Sequence, residues 1–112
     1  MKAMVPKGPS MNEMIRQAQK MQEDMQKKQA ELEAMEYDVS AGGGVVKIKI
    51  NGKREILSID IDPIIVDPDD IETLSDILVA GVNEAVKKVS TIYDEEMAKI
   101  TGPFGGGMPG MF

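Results

Sequence analysis

The feature that most constrains this chain is Ser10 to Met35, a stretch free of Gly and Pro in which apolar residues recur with a helical period. From Met14 they continue at Ala18, Met21, Met25, Leu32 and Met35, with Lys28 at the one polar step. The steps alternate between four and three, which is a heptad seam. Ser10 and Glu13 form the Ser-x-x-Glu pattern of a capping box, in which each side chain satisfies a free N–H at the helix start. A helix from about Met11 to Met35 would be roughly 37 Å long at ~1.5 Å per residue. A compact domain of this size has a radius of gyration of only ~13 Å, or about 34 Å across. One protomer cannot readily cover the seam. A second copy is expected to do so, which makes Met14, Ala18, Met21, Met25 and Leu32 candidate dimerisation residues.

The remaining segments complete an α+β pattern. Residues 1–9, with two prolines and a glycine, read as a flexible lead-in. Tyr37 to Ala41 alternates with period two, and Gly42-Gly43-Gly44 favours a turn after it. Val46, Ile48 and Ile50 alternate with Lys47 and Lys49, and Asn51-Gly52 suits a type I′ hairpin turn. A turn widened by Lys53 and Arg54 is the alternative. Leu57, Ile59 and Ile61 then alternate with Ser58, Asp60 and Asp62. These three strands make an antiparallel meander, apolar on one face. Pro63 ends the third. Asp67-Pro68 reads as N-cap and first turn of a second helix, with apolar positions from Ile71 through Leu74, Leu78, Val82, Ala85, Val89 and Ile92 to Ile100. Residues 10–100 thus form one α-β-β-β-α domain, and the Gly- and Pro-rich 101–112 reads as a disordered tail.

Charge divides the chain unevenly. The net charge is −6; residues 1–66 balance ten basic against ten acidic groups, whereas 67–112 carry three lysines against nine carboxylates. An acidic whole argues against a simple cationic DNA coat, but residues 1–30 hold six basic and three acidic groups. Arg16, Lys20 and Lys27, spaced by four and seven, share one helix face, and phosphate contacts need only such a stripe. The competing reading is that Glu23–Lys27 and Asp24–Lys28 are ordinary i,i+4 pairs, each worth ~0.2–0.5 kcal/mol.

Several functions are disfavoured. The chain has no Cys and no His, so disulfides, zinc ribbons and Ser-His or Cys-His nucleophile systems are absent. Its carboxylates fall at capping or solvent-facing positions, and no enzyme activity, cofactor or small-molecule substrate is expected. Asp60, Asp62, Asp67, Asp69 and Asp70 lack the spacing of a calcium loop, and helix capping explains the last three. Seven of the ten methionines precede Glu36, mostly on the seam, where packing explains them better than a soft metal. Gly105 to Gly110 matches G-x-G-x-x-G only formally, since that motif works only between a strand and a helix N-terminus. No apolar run approaches the ~20 residues of a membrane span, and Met1 to Pro6 lacks a signal-peptide core, so the expected location is cytoplasmic.

Taken in order, the segments resemble the YbaB/EbfC nucleoid-associated proteins. The resemblance runs through Gln17-Ala18-Gln19-Lys20-Met21-Gln22, Met25, Ala41-Gly42-Gly43-Gly44 and Val46-Lys47-Ile48-Lys49-Ile50-Asn51-Gly52. It continues through Ile59-Asp60-Ile61-Asp62-Pro63, the stretch Leu74 to Ala85, and the tail from Thr101-Gly102 to Phe112. Gly81 stands where the family more often has Ala. The resemblance implies an intertwined homodimer with long projecting helices and a small DNA-binding protein of the nucleoid. On that reading Arg16, Lys20, Lys27, Lys28 and Lys99 contact phosphates of duplex DNA, with backbone contacts dominating base readout. The alternative is a dimeric protein-interaction module without direct DNA binding.

Overall fold

The computed structural model describes residues 10–105, and side-chain surroundings as far as Gly102. The expected lead-in, 1–9, and residues 106–112 of the expected tail lie outside the described residues. The elements are helix α1 (Met11–Glu33), strands β1 (Glu36–Ala41), β2 (Val46–Asn51) and β3 (Ile56–Ile61), and helix α2 (Ile71–Gly105). The three strands form one antiparallel sheet in the order β1-β2-β3. This is the α-β-β-β-α fold expected from the sequence.

Local chemistry sets each boundary. The Ser10 hydroxyl accepts from the Glu13 N–H at 3.2 Å, and the Glu13 carboxylate accepts from the Ser10 N–H at 3.1 Å. Gly42, Gly43 and Gly44 all have positive φ (63°, 73° and 99°), a run that β-carbons would penalise at every step. The β2–β3 turn takes the wider form. Arg54 N–H donates to the Asn51 carbonyl at 3.0 Å, Arg54 itself adopts φ 66°, and the Asn51 side-chain oxygen accepts from Lys53 and Glu55 N–H. This is a three-residue loop with a left-handed third position rather than a type I′ turn. A bulge follows, so that Ile56, not Leu57, stands opposite Ile50.

The start of α2 corrects the sequence reading. Asp67 closes a turn, its side chain accepting from Asp69 N–H and its carbonyl from Asp70 N–H, both at 2.9 Å. Asp70 is the residue that caps α2, accepting from Thr73 N–H at 3.3 Å and from the Thr73 hydroxyl at 2.7 Å. Pro68 suits the second position of that turn as well as a first helical position, so Asp-Pro alone did not choose between them. At its other end α2 continues through Thr101 to Gly105, beyond the Ile100 boundary drawn from composition.

The core lies between one sheet face and the middle of α2. Val39, Val46, Ile48 and Ile50 are buried with Ala85 and Val89, flanked by Tyr37, Ala41, Val45, Ile77, Leu78 and Val82. Each large aliphatic side chain so buried contributes about 1.5–3 kcal/mol. At Gly81 α2 approaches so closely that a β-carbon would stand 2.7 Å from Ile48 Cδ1. The helix covers β1 and β2 only. On β3 every residue is exposed, including Ile59 and Ile61, whose register partners on β2 are Ile48 and Val46.

Candidate nucleic-acid interface

The cations are placed by the way α1 meets α2. Beyond the sheet the two helices run antiparallel: Arg54 at the hairpin tip meets Ser90 and Tyr93, and farther out Lys28 meets Glu96. Ile100 shares a cleft with Asp24, Lys27, Lys28 and Glu31. The C-terminal half of the seam therefore already has a cover within the protomer. Met21, Met25 and Lys28 are half-buried and Leu32 is buried, as is Met97 on α2. Met14 and Ala18 lie in the stretch Met11–Lys20, which is exposed throughout. Of the five candidate dimerisation residues, then, Leu32 is committed to its own chain and Met14 and Ala18 stand open.

Arg16, Lys20 and Lys27 share one face of α1, as spacings of four and seven require, and Lys27 also borders the cleft with Ile100. All three are exposed. Lys20 pairs with Asp24 at 3.5 Å, but its side chain remains 75% exposed, so the pair is a weak, screened one. Arg16 and Lys27 form no ion pair among the described residues.

Lys28 and Lys99 are differently disposed. Glu96 takes Lys99 Nζ at 2.7 Å on one oxygen and Lys28 Nζ at 3.5 Å on the other, while Lys28 also meets Glu31 at 3.4 Å. The hydrogen bond from Lys99, helped by the charges of Lys99 and Lys28, holds the Glu96 carboxyl below its usual range. The same hydrogen bond raises Lys99 above its ordinary value. This bridging carboxylate was not foreseen; the spacing of Glu96 to Lys99 was visible in the sequence, but its meeting with Lys28 depends on how the helices pack.

A second set of cations occupies the sheet face opposite α2. Lys47 and Lys49 project there from β2, but β1 and β3 place Ser40 and Asp60 beside Lys47, and Asp38 and Ser58 beside Lys49. Glu36 stands 3.8 Å from Lys49. Lys88, another residue without a role in the sequence reading, donates to the Asp38 carbonyl at 3.0 Å. Of the aspartates weighed as metal ligands, Asp62, Asp67 and Asp70 accept from local N–H groups, Asp62 from Ile64 N–H at 3.0 Å. Among the described residues no helix is long and apolar enough to cross a membrane.

Known proteins identify what this scaffold is. Residues 7–104 match the YbaB/EbfC DNA-binding family. The chain belongs to that family. Among its relatives, a nucleoid-associated protein of Clostridium novyi is 53% identical over 105 residues, covering 94% of this chain and 90% of that protein. One from Alkaliphilus metalliredigens is 49% identical over 104 residues, covering 93% and 90%. The fold also matches the crystal structure of an uncharacterized protein, HP0035, from Helicobacter pylori, with a TM-score of 0.70 at 18% identity, covering 85% of this chain and all of that one. For this YbaB/EbfC chain, membership is a statement about nucleoid-associated DNA binding in general, and the contacts must be argued from its own residues.

Proposed function

We propose that the chain acts as a homodimer that binds duplex DNA in the nucleoid without catalysing a reaction, mainly through phosphate contacts from α1. The observation that carries this reading is the stripe Arg16, Lys20 and Lys27, exposed along one face of α1, with Arg16 and Lys20 in the stretch that is exposed throughout. It needs no pocket and no base-reading element, because cations aligned along a rigid rod are sufficient to replace condensed counterions. Lys28 and Lys99, drawn onto Glu96, are secondary cations.

The homodimer is supported by what the protomer leaves uncovered. Ile56, Leu57, Ile59 and Ile61 on β3, Ile64 and Val66 after it, and Val79 and Val86 on α2 are all exposed. Apolar groups in such number around one unpaired strand edge favour association over a free monomer. A dimer would also give two α1 arms, and hence about six phosphates engaged by the three cations of each.

A salt-titrated mobility shift with duplex DNA tests the reading. Six neutralised phosphates correspond to a slope of log K against log salt near −5, using ~0.9 per phosphate. A folded dimer that gives no shift at about 50 mM salt, yet retains protein partners in DNase-treated lysate, would establish the protein-interaction module instead.

A further inference from the structure

Glu96 stands apart from the other carboxylates of the chain because it reaches cations on two helices with its two oxygens. Its side chain is 25% exposed, whereas that of Lys99 is 71% exposed and that of Lys28 is 33% exposed. Beside it lies a cleft of about 270 Å³ lined by Asp24, Lys27, Lys28, Glu31 and Ile100. A phosphate diester offers the same chemistry as this carboxylate: two anionic oxygens that accept from ammonium groups. On the DNA-binding reading of α1, we infer that Glu96 acts as a built-in competitor for phosphate, withholding Lys28 and Lys99 and setting the affinity below what the chain's cations allow.

The magnitudes make this competition effective but not absolute. An ion pair this exposed contributes little to folding, so it is not required to hold α1 on α2. Leu32 on α1 and Met97 on α2 are both buried, and burial of such side chains outweighs an exposed ion pair. Yet a lysine held by a carboxylate neutralises no phosphate, so it displaces no counterion from the DNA and contributes little to the salt dependence of binding. Each lysine released should steepen the slope by about 0.9 and, at roughly 0.1 M salt, raise affinity up to about eightfold.

The test compares the full-length protein with Glu96→Gln by salt-titrated anisotropy on a short duplex of random sequence, with mass and helicity checked for both. Glu96→Gln should bind roughly ten- to sixtyfold more tightly, with a slope steeper by about 1–2, as expected when one or two lysines per dimer are released. Adding Lys28→Gln and Lys99→Gln to that variant should reverse the gain. Unchanged affinity and slope in Glu96→Gln, against a wild type that binds, overturn the inference and leave the functional reading standing. A folded wild-type dimer that does not bind overturns the functional reading and the inference with it. An acetylation footprint of the wild type needs no variant: DNA should protect Lys20 and Lys27 and leave Lys28 and Lys99 unchanged. Equal protection of all four lysines overturns the inference.

Discussion

Gly52 lies against the backbone of Leu32, so closely that a β-carbon on Gly52 would overlap the Leu32 carbonyl oxygen. Its N–H donates to the Met35 carbonyl at 2.9 Å. The β2–β3 hairpin tip is thereby seated on the last turn of α1, which fixes where that helix leaves the sheet and where its cations stand.

Gly52→Ala should therefore cost stability at the upper end of overpacking, about 3 kcal/mol, because the group that must yield is helix backbone and not a flexible side chain. Chemical denaturation of the variant checks this. An unchanged midpoint would mean that α1 is free to shift away from the hairpin. Gly52 is not among the residues with positive φ. The Asn-Gly signal located the turn correctly, but the glycine is needed for close approach and not for a type I′ geometry.

At Arg54 the conformational argument is reversed. Its φ of 66° carries a penalty of roughly 1–2 kcal/mol for a side chain with a β-carbon. Its Nε donates to Ser90 Oγ at 3.2 Å, and its guanidinium lies 5.8 Å from the Tyr93 ring centroid. The cation–π contact at an exposed site contributes about 0.5–1 kcal/mol. Arg54→Gly loses the contacts but relieves the backbone, and should be nearly neutral. Arg54→Ala loses the contacts and keeps the strain, and should be about 1 kcal/mol less stable than Arg54→Gly. Thermal melts of the two variants side by side decide it; Ala more stable than Gly would show that the turn relaxes.

Element type and order were legible because each rests on local pattern. Ser10 and Glu13 announce the start of α1, the Val46-to-Ile50 alternation gives β2, and the three glycines give the turn before it. The pairing of faces was not legible. The heptad seam of α1 required a partner helix, and sequence spacing cannot distinguish a second copy from the chain's own α2. Glu96 and Ile100 stand beside Lys28 and its neighbours because α2 continues past the sheet alongside α1. For the same reason sequence spacing offers Asp24 as the partner of Lys28, whereas its partners are Glu31 and the distant Glu96 that it shares with Lys99.

That redistribution changes which residues should control association. Light scattering at micromolar concentration should give twice the 12.2 kDa chain mass. Ile59→Glu combined with Val79→Glu should shift this toward the monomer while helicity persists, since both side chains are exposed in the protomer. Each introduced charge would have to be buried unpaired in any dimer covering β3. Leu32→Glu should instead unfold the α1–α2 junction within one chain. A dimer mass retained in the Ile59/Val79 variant would show that β3 is not in the interface.

The same geometry separates two candidate surfaces for DNA. Lys20 and Lys27 are exposed on α1, Lys20 remaining 75% exposed beside Asp24, whereas Lys47 and Lys49 lie on a sheet face where Asp38 and Asp60 are register neighbours and Glu36 is 3.8 Å from a Lys49 side chain that is 44% exposed. A cation with a carboxylate beside it presents less net field to a phosphate. Lys20→Glu with Lys27→Glu should abolish the mobility shift at about 100 mM salt, since four of roughly six phosphate contacts per dimer are replaced by repulsion. Dimer mass and helicity should be unchanged, because neither side chain takes part in the core. Lys47→Glu with Lys49→Glu should reduce affinity only modestly, through the change in overall charge. If the sheet pair removes binding and the helix pair does not, the phosphates lie against the sheet, and the assignment to α1 is wrong even though the protein binds DNA.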